Sequence, residues 1–330
     1  MAVTTASDMK IYEAQFASGR TETLQQNVAA FNAASNGAIV MRSSTLPANY
    51  EYNSFFVTNG SLIGRQDITS TSTKTPSELT QDEQIAVKLH RNSLTQLTKK
   101  AAKMAGLAFD ELLFAHGQQW AVEYQTEMLN SALAAARNAM AAKSGITNDI
   151  TSASVKTISH SVLLNTMAKF GDQNDRIAAW VMHSSSYFDL GIAAINDDIT
   201  NVADGIVRRV DIPGLGRPIL VTDSASLIKT ADTPDSYYVL GLVKGAIDCN
   251  ESEGIEQAID TVTGLDQLAV NVQTEYAYNL ALKGFKWDVG NGGANPDAST
   301  LATASNWDQV ATSNKDLPGV VLRHQLLADQ

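Results

Sequence analysis

Three residue types that together perform acyl transfer lie close in the chain: His183, Ser184 and Asp189. That chemistry needs a hydroxyl nucleophile, an imidazole base and a carboxylate that orients the base. The spacing argues against it here. Adjacent residues at a strand end rarely point at each other, and no Gly-x-Ser-x-Gly turn exposes a serine. Ser184 and Ser185 suit the N-cap of a helix running through Tyr187, Phe188 and Leu190. The five histidines, His90, His116, His160, His183 and His324, show no metal-ligand spacing and no HExxH motif. His116 falls on the Leu113 and Trp120 side of a predicted helix, where a satisfied core or interface histidine is expected. Gly214-Leu-Gly216 supplies two glycines of a dinucleotide loop, but the third position is Ile219 and a strand follows instead of a helix. Asp197-Asp198 and the group Glu251, Glu253 and Glu256 read as solvated acids. No catalytic, cofactor-binding or metal residue is assigned.

Bulk composition narrows the remaining classes. With 330 residues the chain can bury a substantial core. Charged residues make up only 18%, so Ser, Thr, Asn and Gln must supply much of the polar surface. Such a surface suits a protein that meets many copies of itself. Twenty-four basic against 35 acidic residues give a net charge of −11, the wrong sign for a protein that grips phosphates. The densest basic cluster, Lys99, Lys100 and Lys103 with Arg91 and His90 nearby, reads as a solvated helix face. Sequence-specific nucleic-acid binding is not expected. Cys249 is the single cysteine, which leaves no intrachain disulfide and no cysteine zinc site. Met1–Lys10 lacks the features of a signal peptide, and the apolar run Tyr237–Val243 is too short to span a bilayer. Synthesis and assembly in a cytoplasm are the expectation.

The positioning elements follow from periodicity. Leu24, Val28 and Phe31 predict a helix over Thr21–Ala34, ended by Asn36-Gly37. Tyr50–Val57 reads as a strand. Ile68 to Pro76 is Ser/Thr-rich and ends in proline, the composition of an exposed loop. Ile85, Val87 and Leu89 alternate with Ala86, Lys88 and His90, which predicts a half-exposed strand. The two strands and the polar tip make an extended hairpin, and a tip of that length can lie across a neighbour.

From Gly106 to Ser144 the pattern predicts a long helix with Asp110 and Glu111 in its first turn and Gly145 as its cap. Leu113, Trp120, Tyr124 and Met128 share one face, and Val122, Leu129, Leu133 and Met140 share the opposite one. The first stripe fades as the second takes over, so each half must bury against a different layer. Further on, a helix is predicted over Ser154–Phe170, with Val155, Ile158, Val162 and Met167 inward. Buried strands are predicted at Ile177–Met182, Pro218–Thr222 and Tyr237–Lys244. These shorter elements describe a compact α/β lobe over residues 151–264. Leu268, Val270, Val272, Thr274, Tyr276, Tyr278, Leu280 and Leu282 then alternate with mostly polar or small residues. That predicts a strand far longer than usual, on which the long helix can lie. In the tail, Trp307 and Val320-Val-Leu322 are isolated anchors.

This order of elements resembles the HK97-type capsid fold, an α+β architecture. Ala179-Trp-Val-Met-His183 followed by Ser-Ser-Ser-Tyr-Phe-Asp-Leu190 is similar to a strand-then-helix segment of phage capsid proteins. Gly216-Arg-Pro-Ile-Leu-Val-Thr-Asp223 is similar to a later strand of the same lobe. Trp287-Asp-Val-Gly-Asn-Gly-Gly-Ala-Asn-Pro296, Ser305-Asn-Trp-Asp308 and Lys315-Asp-Leu-Pro-Gly319 resemble the C-terminus of the gp13-like major capsid family. The resemblance covers most of the chain.

It implies an N-terminal arm (1–47), an extended E-loop (48–92), the spine helix of a peripheral domain (93–150) and an axial domain (151–264). The long strand of the peripheral domain and a tail (265–330) complete the chain. It further implies self-assembly through pentamers and hexamers into an icosahedral head shell around double-stranded DNA. A separate scaffolding protein, a portal and optionally a decoration protein would be partners, with the virion as location and no membrane involved. Ile68, Thr69, Thr71, Lys74 and Pro76 become the candidate contacts between subunits, Lys74 being the one local candidate for a covalent crosslink to asparagine. Two other readings stay open. One is another self-assembling protein, encapsulin-like or flagellin-like, although a flagellin needs apolar heptads at both termini. The other is a soluble α/β hydrolase using His183.

Overall fold

The computed structural model describes residues 20, 32–33, 35–43, 48–56, 66, 68–73, 81–104, 106, 108–202, 216–264 and 266–329. The helix expected over Thr21–Ala34 lies almost wholly outside them. Its predicted end is visible: Asn36 and Gly37 take left-handed conformations with φ of 51° and 71°. Strands β1 (Ile39–Ser43), β2 (Tyr50–Phe56) and β3 (Gln81–Thr98) precede a short helix α1 (Lys99–Met104) and the long α2 (Phe109–Ala141). Next come β4 (Thr147–Asp149), α3 (His160–Met167), β5 (Ile177–His183), α4 (Ser184–Val202) and β6 (Ile219–Thr222). The chain finishes through β7 (Ile228–Lys229), β8 (Ser236–Val243), β9 (Ile247–Val262), β10 (Ala269–Leu282), β11 (Phe285–Trp287), β12 (Trp307–Gln309) and β13 (Gly319–His324).

Helix α2 has 33 residues and runs about 50 Å. Asp110 and Glu111 occupy its first turn, and the Glu111 carboxylate accepts from the Ala108 N–H at 3.4 Å. Gly145 does not cap it, because turns at Ala142 and Lys143 already satisfy the last carbonyls. Gly145 serves close packing instead, since a Cβ there would sit 2.1 Å from the Asn314 amide nitrogen.

The first apolar stripe of α2 is buried throughout, at Leu113, Trp120, Tyr124 and Met128. In the second, Leu133 and Met140 are buried while Val122 is 50% exposed. Among the described residues, a five-stranded sheet is the layer that covers the N-terminal half of the helix. Its C-terminal half is enclosed, and Ala132, Ala135, Ala136 and Ala139 let neighbouring segments approach. There Ser226 Oγ donates to the Asn130 carbonyl at 3.0 Å, and Arg137 donates to the Ile228 carbonyl at 2.8 Å.

The layer under the first half is a five-stranded sheet in the order β1-β9-β10-β3-β2. Strand β10 pairs antiparallel with β3 on one side and with β9 on the other, the latter broken by a bulge between Glu275 and Tyr278. As the alternation predicts, Val270, Val272, Thr274, Tyr276, Tyr278, Leu280 and Leu282 are buried, while Gln273 and Glu275 are exposed. Against it, Leu268 lies outside the strand at 58% exposure, and Ala269, Ala277 and Asn279 on the other face are buried too. Helix and sheet interlock through rings. Tyr276 lies 4.6 Å from Tyr124 and 5.7 Å from Trp120, and Trp120 Nε1 donates to Ser93 Oγ at 2.8 Å.

Strand β3 departs from its expected half-exposed pattern. Residues Ile85 to Leu89 are all buried, Lys88 included at 1% exposure. Here the ladder from β2, which runs to Val87, meets the ladder from β10, which begins at Val87, and Lys88 pairs with Glu253. Beyond His90, where β2 has ended, exposed and half-buried positions alternate again.

The second sheet runs β4-β13-β8-β5-β6, with β7 pairing to β8. Strand β5 is buried except at its last residue. Val320-Val-Leu322 are not isolated anchors, because they form the middle of β13 between β4 and β8. Strand β9, inside the expected 151–264 lobe, leaves this sheet at Gly245 (φ 64°) and joins the five-stranded one. The tail strand β13 and the short β4 take its place. Helix α3 is shorter than the predicted Ser154–Phe170. Ser159 Oγ caps it by accepting from the Val162 N–H, which leaves Val155 outside and 60% exposed. Among the described residues no helix is long and apolar enough to cross a membrane.

Candidate functional site

The three residues that suggested acyl transfer are held apart by local structure. At the junction of β5 and α4, His183 Nδ1 accepts from the Ser185 N–H at 3.2 Å. His183 therefore performs the capping expected of Ser184, and its ring packs 5.6 Å from that of Tyr237. Asp189 turns the other way and accepts from the Leu327 N–H at 2.8 Å. A different serine–histidine pair does form. His324 on β13 and Ser186 on α4, 138 positions apart, meet at 3.0 Å between Nε2 and Oγ. His324 Nδ1 lies 3.0 Å from the Gln325 carbonyl, to which only a protonated nitrogen can bond, so Nε2 accepts from the serine. Both side chains are fully buried, and burial pushes the His324 imidazole down to about 4. A hydroxyl shut in this way reaches no substrate.

The other sequence candidates also resolve into structure. Gly214 lies outside the described residues, as do the side chains of Asp197 and Asp198. Glu251 lies near the Arg20 guanidinium, and burial raises its carboxyl above the ordinary value against that attraction. Glu253 pairs with Lys88 and stays below the ordinary carboxylate value through that bond. Cys249 is buried, and burial raises its thiol. Lys100 and Lys103 are exposed as expected, while Lys99 stands 5.8 Å over the Phe109 ring. His116 is half-buried, and burial lowers its imidazole. Among the described residues no three His, Cys, Asp or Glu side chains gather as metal ligands would.

Sequence reasoning missed the polar centre that joins helix to sheet. Glu127 of α2 accepts from Tyr278 Oη at 2.9 Å, from Arg91 Nε at 2.9 Å and from Ser131 Oγ at 3.0 Å. The available signal was its spacing. Glu127 sits three residues from Tyr124 and four from Ser131, so it belongs to the inward stripe. A carboxylate there needs partners from the facing layer.

What remains exposed is architectural. The β2–β3 hairpin carries residues 68–73 as an exposed segment, with Ile68 at 89% exposure and Thr69 and Thr71 beside it. Lys74 and Pro76 lie outside the described residues. On α4, Tyr187, Phe188 and Ile192 also present apolar side chains to solvent.

A spine helix laid across a long-stranded sheet, a projecting hairpin and a second mixed sheet are the parts of an HK97-type shell subunit. Residues 8–321 match the model of the Gp13-like family, described as major capsid protein 13-like, and the chain belongs to that family. The capsid of Ralstonia phage GP4 is similar in fold, with TM-score 0.53 and 9% identity over 88% of each chain. The capsid of cyanophage Pam1 gives TM-score 0.54 and 11% identity over 88% of this chain and 89% of that one. The acidic stable capsid structure of Helicobacter pylori bacteriophage KHP30 gives 0.52 and 7% over 88% and 89%. No curated protein matches. The chain is thus a structural, non-enzymatic subunit of a phage head shell that assembles with copies of itself, and the virion is its place. The hydrolase alternative falls with the geometry around His183.

Proposed function

We propose that copies of this chain close into an icosahedral shell of pentamers and hexamers around double-stranded DNA, each hairpin clasping the adjacent subunit. The observation that carries this reading is the hairpin itself. Its base is fixed in the five-stranded sheet, whereas residues 68–73 are exposed on their own subunit. A polar segment held out on a rigid base is free to lie across a neighbour's surface. In this reading Ile68, Thr69, Thr71, Lys74 and Pro76 are contacts between subunits. Residues 1–47 act as an arm, 48–92 as the E-loop, 93–150 and 265–330 as the peripheral domain, and 151–264 as the axial domain. The exposed Tyr187, Phe188 and Ile192 on α4 suit contacts within a ring of copies. A separate scaffolding protein, a portal and optionally a decoration protein complete assembly in the host cytoplasm.

Co-expression with the candidate scaffolding protein, followed by electron microscopy, tests this. Closed shells of uniform size are expected from the full chain. A variant with residues 68–73 replaced by a short Gly-Ser turn should give folded subunits that do not close. A stable monomer under all conditions, or normal shells from the hairpin variant, would overturn the reading.

A further inference from the structure

Glu256 and Glu275 are directly opposed across β9 and β10, an arrangement that repels. Both are exposed, and no described cation forms a salt bridge with either. They line an open cleft of about 930 Å³ together with Ser252, Glu253, His90 and Arg91, of which Glu253 already meets Lys88 and His90 while Arg91 meets Glu127. Ser252 is 3% exposed, yet its hydroxyl has no hydrogen-bond partner among the described residues. Two facing carboxylates and an unused buried hydroxyl are what an ammonium group would satisfy.

The complementary feature lies toward the other end of the same sheet. Lys244 stands in the β8–β9 turn beside Gly245 (φ 64°), and Lys283 in the β10–β11 turn beside Gly284 (φ 73°). The two turns touch, because the Lys283 N–H donates to the Ala246 carbonyl at 3.0 Å. Arg176 and Arg217 line the same surface but already meet Asp316 and Asp175. Lys244 and Lys283 have no salt bridge among the described residues. Burial and the nearby Arg176 lower the Lys283 ammonium, so a carboxylate brought from outside would relieve it.

We propose that the Lys244 and Lys283 turns of one copy seat in the Glu256–Glu275 cleft of the next copy. The match is one of charge: two lysines on neighbouring tight turns, at the rim of a smaller pocket of their own, face the need of two opposed carboxylates for cations. Nine steps along β9 lead from Ile247 to Glu256, roughly 30 Å of strand. Two complementary patches so far apart on one chain cannot pair with each other. They form a head-to-tail contact, the type that closes into rings. In a chain of net charge −11, such a contact also orients copies that otherwise repel.

This contact rests on the shell-subunit reading, and charge reversal separates the two. K244E/K283E and E256K/E275K are each expected to reduce closed particles about tenfold at physiological salt, counted by sedimentation and electron microscopy. The chain carrying all four substitutions is expected to recover them, because its charges are complementary again. Circular dichroism of the unassembled variants checks folding. If a reversal misfolds, K244Q/K283Q takes its place, with the same loss expected. Normal assembly of either double variant, or failure of the fourfold chain to improve on both, would overturn the contact while leaving the shell reading intact. Absence of particles from the unaltered chain would sink the shell reading, and the contact with it.

Discussion

Replacing His324 with glutamine should change how the subunit responds to acid. The imidazole is buried, accepts from Ser186 and donates to the Gln325 carbonyl. Folding therefore holds it neutral and lowers it from 6.5 to about 4. Above pH 6.5 folded and unfolded chains both carry the neutral ring, and this group adds no pH dependence. Below that value the unfolded chain takes up a proton that the folded chain refuses, so stability falls as pH falls. The fall continues to about pH 4, where the folded ring also protonates. At about 1.4 kcal/mol per pH unit, the window is worth about 3 kcal/mol. Urea unfolding of unassembled subunits at pH 7 and at pH 4.5 measures it. His324→Gln keeps one donor and one acceptor, so the variant folds, with some loss at pH 7. Its stability should then drop about 2 to 3 kcal/mol less than that of the unaltered chain on acidification. Glu251 and other acids titrate in both proteins, so the difference isolates His324. Equal acid sensitivity in the two proteins would refute the argument.

Other substitutions address the packing. Glu127→Ala leaves the buried Tyr278 hydroxyl and the Arg91 guanidinium without their shared acceptor, and a loss of about 3 kcal/mol is expected in urea unfolding. Glu127→Gln should cost less than half as much, because one acceptor oxygen remains. Gly241→Ala sets a Cβ 2.7 Å from the Trp180 ring and 2.9 Å from Val320, which should cost about 1 to 3 kcal/mol. Gly319→Ala is worse, since its Cβ would lie 1.9 Å from the Gly241 carbonyl oxygen, and soluble folded subunit should be lost. Gly191→Ala on α4 meets nothing within 4 Å, and thermal unfolding should show it tolerated or slightly stabilising.

Local periodicity was enough to find α2, β10 and the hairpin. A helix repeats near 3.6 residues and a strand at two, so Trp120 to Met128 and Val270 to Leu282 announce their own buried faces. Composition marked the segment from Ile68 as exposed, because Ser and Thr give little to bury. Neither kind of signal says which strand becomes central. Lys88 reads as solvent-facing by alternation, yet the β2 and β10 ladders meet beside it at Val87 and Glu253 supplies its counter-charge. The exchange of β9 for β13 between the two sheets, the sharing of Glu127 by helix and strand, and the meeting of Ser186 with His324 all depend on segments distant in the chain. Tertiary structure alone decided these, because the free energy of a contact between distant segments depends on which faces come together, and a local repeat carries no record of that.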